Sequence, residues 1–448
     1  MGSMPMKKLL ISMSLPIMLS MVVQALYNIV DGIFVAQIGE DALAAVSFAF
    51  PVQMIMIAVS VGTSVGINSL MSRYMGSQNA DKANATAKNG LLLAVLSWLV
   101  FVVFGLFGAR WFMSIFTDQE NLMEMGIQYI VICSVFSIGV FVQIVFERFM
   151  QASGKPIYSM ILQGVGAILN IMLDPILIFG WFGLPKMGVA GAAIATVVGQ
   201  IVAMLIGLWL TIYKLPNIQI HFGGFRPDKK IIQKIYIVGI PAILIQGMTA
   251  IMTIGMNMIL APFSDLVVSV FGIYYKLQNF VFMAILGLTN ALIPIIGYNY
   301  GAKNGDRVIQ AIRLSVLLSS GMMLLGTIVF QIFPKQLLLL FDAQQDMLSV
   351  GIPALRIISL SFLFAGISMV LCSAFQAMGN GILSLIVTLV RQLILLLPLS
   401  WWLARTYGLP ETWIAFLIVE VICMGLSFWM MRWIYRNQIQ NIVERKKS

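Results

Sequence analysis

The chain has few of the residues from which enzymes build active sites. Charged residues make up 10% of its 448 residues, and it contains one histidine, His221, and three cysteines. Cys133, Cys372 and Cys423 lie in separate apolar stretches, which excludes a disulfide framework and a cysteine metal cluster. It has no Gly-x-x-x-x-Gly-Lys-Ser/Thr motif for binding ATP phosphates. We therefore expect neither an enzyme nor an ATP-driven pump.

What the chain has instead is long hydrophobic sequence. Hydrophobic residues make up 60% of it, and its mean hydropathy is +0.97. About a dozen apolar stretches each exceed the roughly 20 residues that a helix needs to cross a bilayer. We predict an all-α membrane protein with twelve transmembrane helices. The predicted spans are 7–38, 43–73, 84–110, 121–153, 155–182, 188–214, 229–260, 264–299, 304–333, 344–378, 380–406 and 409–437.

Positive charges are distributed unevenly along the chain, whose formal net charge is +10. With the N-terminus in the cytosol, twenty of the 27 Lys and Arg residues fall in inner loops and tails, whereas the outer loops hold Arg110, Lys186, Lys335 and Arg405. This asymmetry satisfies the positive-inside rule and predicts a multi-pass protein of the cytoplasmic membrane with both termini in the cytosol. We assign the charge to topology and to contact with anionic lipid, not to nucleic acid.

The second half of the sequence repeats the first at one constant offset. This offset aligns Pro16 with Pro241, and it also aligns Gln151-Ala152-Ser153-Gly154 with Gln376-Ala377-Met378-Gly379. We predict two homologous six-helix bundles, residues 1–215 and 229–448, joined by a cytosolic loop at 216–228. Six crossings is an even number, so both bundles have the same orientation in the membrane, and we expect substrate to bind between them.

Two carboxylates within the predicted spans are the first candidates for a functional site. An ionised Asp31 inside the bilayer costs about 2.5–3.5 kcal/mol on insertion scales, so it needs a partner, a proton or water. Asp31 and Asp174 each lie about eight residues from the outer end of a helix, roughly 12 Å below the outer surface. Asn170 lies one turn before Asp174, and Gln24 two turns before Asp31. Such oxygens at one depth can hold a proton or bind sodium.

Further charged residues lie in later spans. Glu147 is adjacent to Arg148 near the inner end of helix four, where both side chains can snorkel to water, and a gate or a substrate contact is the alternative for Glu147. Glu420 lies in the middle of helix twelve, and Arg391 lies near the middle of helix eleven. We expect these two to form a structural ion pair in preference to a substrate site.

Short motifs in a fixed order resemble those of the multidrug and toxic compound extrusion (MATE) transporters. Each is weak alone, but together they cover essentially the whole chain. They are Pro16 and Asp31 in helix one, Gly39 with Ala42-Leu43-Ala44-Ala45-Val46 opening helix two, Gln151-Ala152-Ser153-Gly154 closing helix four, Asn170-Ile171-Met172-Leu173-Asp174-Pro175 in helix five, and Gly188-Val189-Ala190-Gly191-Ala192-Ala193-Ile194-Ala195-Thr196 opening helix six. Pro294-Ile295-Ile296-Gly297-Tyr298-Asn299-Tyr300-Gly301 is similar to the bacterial multidrug branch.

The resemblance implies a V-shaped pair of bundles that exports organic cations or drugs in antiport with protons or sodium, by alternating access. It also implies a coupling-ion cluster, and the family pattern places this cluster at Gln24, Asp31, Asn170, Asp174 and Thr196. Some members carry further carboxylates in helices seven and ten. Here 229–260 has none, and 344–378 has Asp346 at its outer end, so we expect no cation site in the second half.

The resulting hypothesis is that the carboxylates take up a proton or sodium and change the bend of helix one, which Pro16 weakens by removing a backbone hydrogen bond. A flippase for lipid-linked precursors is the alternative, and it predicts a cationic cavity. A membrane enzyme would need a catalytic constellation that these short loops do not supply. We expect a monomer with no cofactor besides the coupling ion. The drug, and the choice between proton and sodium, stay open.

Overall fold

The computed structural model describes residues 1–220, 223, 225–341, 343–440 and 442. His221 and the basic residues Arg445, Lys446 and Lys447 lie outside this part of the chain. The described first half forms α1 (Met6–Ala36), α2 (Glu40–Gly76), α3 (Ala80–Met113), α4 (Glu120–Val135), α5 (Ile138–Ala152), α6 (Pro156–Phe179) and α7 (Gly188–Lys214). A 3-10 turn at Trp181–Gly183 lies between α6 and α7.

The second half repeats this order with additional breaks. Its helices are α8 (Lys229–Leu260), α9 (Asp265–Gly301), α10 (Gly305–Ile332), α11 (Pro334–Leu339), α12 (Gln345–Ser359), α13 (Phe362–Met378), α14 (Gly381–Leu389), α15 (Leu397–Thr406), α16 (Leu409–Thr412) and α17 (Ile414–Ile434). A π-helical segment, Val390–Leu396, lies between α14 and α15, and a second, Tyr435–Ile439, follows α17. Helices α2 and α9 both have 37 residues, and the offset that aligns Pro16 with Pro241 aligns them end to end.

Ten helical stretches of the described residues are long and apolar enough to cross a membrane, and there are up to twelve spans when each of two bent pairs counts as one. The twelve-helix membrane fold predicted from the sequence is thereby confirmed. Residues 121–153 and 344–378 are each predicted as a single helix, and the structure corrects both predictions. Helices α4 and α5 meet at 43°, and α12 and α13 meet at 46°.

At both bends, side chains from a neighbouring helix donate hydrogen bonds to backbone carbonyls. Trp98 on α3 donates its indole N–H to the carbonyl oxygen of Val135, at the end of α4 (2.8 Å). On α10, Thr327 donates to the carbonyl of Ser359 (2.9 Å) and Gln331 to that of Arg356 (2.7 Å). Carbonyls freed by a break inside a membrane need such donors, because lipid offers none.

The structure divides into two compact units. The first unit is Leu19–Ile243, and the second is Met1–Met18 together with Leu244–Ser448. Both divisions fall inside a helix, two residues after Pro16 in α1 and two residues after Pro241 in α8. The domain boundaries expected from the sequence place residues 1–18 with the first bundle instead, and those boundaries stay a prediction.

Close packing explains why the start of α1 belongs to the second unit. Met18 lies against Gly287 of α9, where any added Cβ would collide with it. Arg307 donates hydrogen bonds to the carbonyl oxygens of Met1 (2.9 Å) and Met4 (2.7 Å). In the first unit, the start of α8 is held in a similar way, because Ile235 packs directly on Gly66 of α2. Glycine is needed at Gly66 and Gly287 for this close approach.

Candidate functional site

Asp31 on α1 and Asp174 on α6 meet inside the first unit, where their carboxyl groups lie within hydrogen-bonding range of each other. Asp174 is fully buried and Asp31 is half-buried. Oδ1 of each carboxyl group is buried and has no hydrogen-bond partner among the described residues. Two carboxyl groups can share a hydrogen bond only when one of them carries a proton. Their proximity therefore suits a pair that can hold one proton between them, and we call these two residues the acid pair.

Asn170 and Thr196 complete one side of the acid pair. In the amide orientation that satisfies both neighbours, Asn170 Nδ2 donates to Asp174 Oδ2 (3.3 Å), and its Oδ1 accepts from the backbone N–H (3.1 Å) and the hydroxyl (3.2 Å) of Thr196. A Cβ at Gly199 would lie 2.7 Å from the carbonyl oxygen of Gly166, so glycine there lets α7 approach α6. Four of the five residues that the resemblance places in the cluster are thus together.

Gln24 does not join this network. It is exposed and makes no hydrogen bond with the acid pair in the described part of the chain. It lies on the same face of α1 as Asn28 and Asp31, at spacings of four and three residues, and Asn28 is exposed too. The exposed apolar residues Leu19 and Ile33 lie on the other side of the helix. The polar face of α1 therefore carries two exposed amide side chains, those of Gln24 and Asn28, on the N-terminal side of Asp31.

A second layer of polar residues was not predicted from the sequence. Gln53 on α2 donates to the hydroxyl of Tyr129 (3.1 Å) and to Sγ of Cys133 (3.5 Å), both on α4. Tyr129 and Cys133 are buried and lie within electrostatic range of Asp31. Tyr27, one turn before Asp31, interacts electrostatically with both members of the acid pair. The four-residue spacing could have identified Tyr27, but α2 and α4 carry no sequence signal linking them to Asp31.

Glu147 on α5 is held in a separate buried site. Its side chain is 2% exposed, so the prediction that Glu147 snorkels to water is wrong. Gln143 donates to its Oε1 (3.1 Å) and Gln163 to its Oε2 (3.2 Å). Arg148 is also buried and donates to Gln151 (2.7 Å) instead of bonding Glu147. Two amides from α5 and α6 replace the water that snorkelling would have supplied.

The predicted pairing of Arg391 and Glu420 is confirmed in the second unit. Arg391 Nε lies 3.9 Å from Glu420 Oε1, and the side chains are 18% and 15% exposed. The carboxylate of α17 thus faces a guanidinium, in contrast to the first unit, where carboxyl faces carboxyl.

Comparison with known proteins places this geometry in context. The sequence profile of the MatE family matches residues 16–176 and again 241–402, so the two matches begin at Pro16 and Pro241, which the repeat aligns. A FAD transporter of Shewanella oneidensis is 26% identical over 400 residues, covering 89% of this chain and 88% of the relative. The multidrug export protein MepA of Staphylococcus aureus is 25% identical over 426 residues, covering 94% of this chain and 92% of the relative.

Solved structures agree over the whole length. One described as the outward-facing conformation of a multidrug resistance MATE family transporter of the MOP superfamily superposes with a TM-score of 0.89 at 27% identity, covering 99% of this chain and 97% of that chain.

Proposed function

The chain belongs to the MatE family, and from that membership we propose that it is a secondary active multidrug efflux transporter, exporting organic cations in antiport with protons or sodium by alternating access. It is a multi-pass membrane transporter and not an enzyme. The observation that carries the proposal is the acid pair, whose two carboxyl groups lie close together within membrane-spanning helices.

The acid pair is suited to take up and release one positive charge. When the shared proton leaves, two like charges lie at hydrogen-bond distance in a poorly hydrated site, which is unfavourable until a proton or a sodium ion returns. The unpartnered Oδ1 atoms of Asp31 and Asp174, with Asn170 and Thr196 beside them, supply the hard oxygen atoms that sodium prefers. The same oxygens suit both ions.

Ion uptake is linked to helix α1, which carries Asp31. Pro16 lies inside α1 and cannot donate the backbone hydrogen bond that would stiffen the helix there. In our proposal, uptake of the coupling ion changes the bend at Pro16 and thereby the state of the transporter. Substrate and ion need not share a site, provided that each prefers a different state. Each net positive charge that moves inward through 100 mV supplies about 2.3 kcal/mol, enough for about 50-fold accumulation of substrate outside. Because a monovalent organic cation carries one charge outward, its export uses the membrane potential only when more than one coupling ion enters.

Export of FAD is a second candidate, supported by the relative in Shewanella oneidensis. Arg391 places a guanidinium group within a membrane-spanning stretch of the second unit, and guanidinium groups bind phosphate oxygens well. Glu420, however, lies 3.9 Å from Arg391 and offsets its charge. The flippase alternative requires a cationic cavity for the same reason, and gradient-driven uptake of ethidium would count against it.

Everted membrane vesicles with a pH gradient or a sodium gradient, each imposed separately, test the proposal. Uptake of ethidium and of FAD would be followed for the wild type, Asp31→Asn and Asp174→Asn. Asp81→Asn, which changes an exposed carboxylate at the start of α3, is the matched control. We expect gradient-driven ethidium uptake that both acid-pair variants lose and the control keeps.

Asp31→Asn retaining both the rate and the ion dependence of uptake would remove the acid pair from the mechanism. Uptake of FAD without uptake of ethidium would favour the second candidate.

We also propose that the protein is a monomer of the cytoplasmic membrane with both termini in the cytosol. The distribution of Lys and Arg supports this orientation. Protease treatment of everted vesicles checks it, because an epitope tag at either terminus should be removed there and protected in intact cells.

A further inference from the structure

A tyrosine near the end of α2 brings two lysines of the first unit together. Lys82, in the first turn of α3, places Nζ 5.8 Å from the centroid of the Tyr74 ring, and Lys234, in the second turn of α8, places Nζ 5.9 Å from it. Lys234 Nζ also donates to the hydroxyl oxygen of Tyr74 (3.3 Å). Three helices of one unit thus converge on these three side chains, which we call the Tyr74 site.

The Tyr74 site has an excess of positive charge. Its two ammonium groups form no ion pair within the described residues, where the recorded pair is the one between Arg391 and Glu420. Asp228, six residues before Lys234, accepts from two backbone N–H groups at the start of α8 (2.8 and 3.3 Å) and so caps that helix. An aromatic ring attracts cations but does not neutralise them, and two like charges at one ring repel each other. An external anion would offset this repulsion.

The repeat shows how the equivalent cation of the second unit is satisfied. At the constant offset, Lys82 corresponds to Arg307 and Tyr74 to Asn299. Arg307 donates to Oδ1 of Asn299 (3.0 Å) and to two backbone carbonyl oxygens of the segment that precedes α1. Among the described residues Lys82 Nζ has no such oxygen acceptor, and a second cation lies beside the same ring instead. The first unit therefore lacks the acceptors that the chain itself supplies in the second.

The Tyr74 site lies at the level of phospholipid headgroups. Tyr74 is two residues from the end of α2, Lys82 two residues from the start of α3, and Lys234 five residues from the start of α8. These helices span the membrane and have 32 to 37 residues, so they are about 48 to 56 Å long, whereas the hydrocarbon core is about 30 Å thick. Side chains within about 8 Å of the helix ends therefore lie among the headgroups.

Apolar side chains continue from the site toward the membrane core along α8. Ile237 lies one turn beyond Lys234 on the same face, and Ile240 follows three residues later. The two side chains are 43% and 50% exposed. A soluble phosphate compound could contact the lysines but would leave this apolar surface uncovered. A phospholipid covers both, because its acyl chains begin where its phosphate ends.

We propose that the Tyr74 site binds one anionic phospholipid, such as phosphatidylglycerol. The lipid phosphate accepts from Nζ of Lys82 and Lys234. It also accepts from the hydroxyl of Tyr74, which can donate its hydrogen while its oxygen accepts from Lys234. An acyl chain lies along Ile237 and Ile240. Because the lipid contacts α2, α3 and α8 together, it holds the start of α8 on the first unit.

Native mass spectrometry of the purified full-length protein, without any ion gradient, tests this proposal by measuring the bound fraction of added lipid. Phosphatidylglycerol is compared with phosphatidylcholine of the same acyl chains, and glycerol 3-phosphate, which lacks acyl chains, is added as a competitor. The variants are Lys82→Gln, Lys234→Gln, the double variant, and Tyr74→Phe. Lys214→Gln, which changes an exposed lysine at the end of α7 in the same unit, is the matched control.

We expect the wild type and the control to bind phosphatidylglycerol about 20-fold more tightly than phosphatidylcholine, because each lysine beside an anionic lipid contributes about fivefold. Each single lysine variant should lose about fivefold, and the double variant should lose the preference. Tyr74→Phe keeps the ring and both lysines but removes one donor, so it should weaken phosphatidylglycerol binding by about fivefold. Lys82→Arg/Lys234→Arg should keep the preference, because both positive charges remain.

Three outcomes would overturn the proposal. The first is a double variant that unfolds at the wild-type temperature without lipid and still prefers phosphatidylglycerol as strongly as the wild type. The second is an equal loss of preference in Lys214→Gln, which would show a general effect of positive charge. The third is displacement of phosphatidylglycerol by an equal concentration of glycerol 3-phosphate, which would show a site for free anions. The binding measurement involves no transport, so it stands or falls independently of the proposed export function.

Discussion

The acid pair of the first unit and the ion pair of Arg391 and Glu420 in the second lie on corresponding helices of the repeat but differ in charge. Asp31 and Asp174 bring two carboxyl groups together, and Asn170 and Thr196 add neutral groups. In the second unit a carboxylate is offset by a guanidinium. A site with excess negative charge has a reason to take up and release a cation, whereas a compensated site has none. The duplicated framework therefore supports two different kinds of polar site.

The repeat locates where the two sites diverge. At the offset that aligns Pro16 with Pro241, Gln24 corresponds to Thr249, and Asp31 corresponds to Met256. Helix α8 therefore has a polar residue, Thr249, where α1 has Gln24, but it has no carboxylate where α1 has Asp31. The charged residues of the second unit's ion pair come instead from the π-helical segment and α17.

The largest effect should come from neutralising each site in turn. Asp31→Asn/Asp174→Asn should abolish ion-dependent export, because no titratable or sodium-binding carboxylate remains in the first unit's cluster. Arg391→Gln/Glu420→Gln, which also removes two charges, should keep its ion dependence. The measurement is substrate accumulation in vesicles at 100 mV, which should fall by about 50-fold for each coupled charge that is lost. Loss of ion dependence in the second variant would break the comparison.

Thermal stability should change in opposite directions at the two sites. Asp31→Asn replaces one of two crowded carboxyl groups with an amide that can donate to Asp174, so unfolding in detergent should shift to higher temperature. Glu420→Gln leaves the guanidinium of Arg391 uncompensated and should destabilise the protein by about 3 kcal/mol. Arg391→Leu/Glu420→Leu should recover most of that loss. Destabilisation by both single variants would mean that the acid pair is a structural network.

Much of this comparison could be predicted from the sequence. The spans, the repeat and the pairing of Arg391 with Glu420 follow from hydropathy, offset and spacing. Asp31 and Asp174 could be placed at one depth because each lies about eight residues from a helix end, and the structure joins them.

The remaining features depend on side chains that sequence patterns do not connect. Hydropathy reports the polarity of a stretch but not the direction of its helix axis. The bends at α4–α5 and α12–α13 therefore cannot be predicted from it. The carbonyls at the bends accept hydrogen bonds from donors such as Trp98 and Gln331, which lie on other helices. The burial of Glu147 is not predictable for a similar reason, because its partner Gln163 belongs to the next helix and spacing along the sequence does not connect the two.

Prolines at matched positions provide a smaller test of the comparison. Pro16→Ala should slow ion-driven export by about tenfold, because restoring the helical hydrogen bond stiffens α1 by up to about 3 kcal/mol. Pro241→Ala should change the rate by less than about twofold, because α8 carries no carboxylate whose protonation must be transmitted. Initial rates of ethidium uptake in vesicles would be compared at equal amounts of protein. Equal slowing by both variants would show that bending itself, independently of the acid pair, limits transport.

Glu147 provides the baseline for a buried carboxylate whose oxygens are both hydrogen-bonded. Glu147→Gln should change export by about threefold or less and leave it ion-dependent, because the new amide can still hydrogen-bond Gln143 or Gln163. Glu147→Ala should destabilise the protein by about 1–3 kcal/mol for each amide left without an acceptor. Uptake assays and thermal unfolding separate the two effects. If Glu147→Gln abolished export while unfolding at the wild-type temperature, Glu147 would act as a gate. Transport would then require a carboxylate of the first unit outside the acid pair.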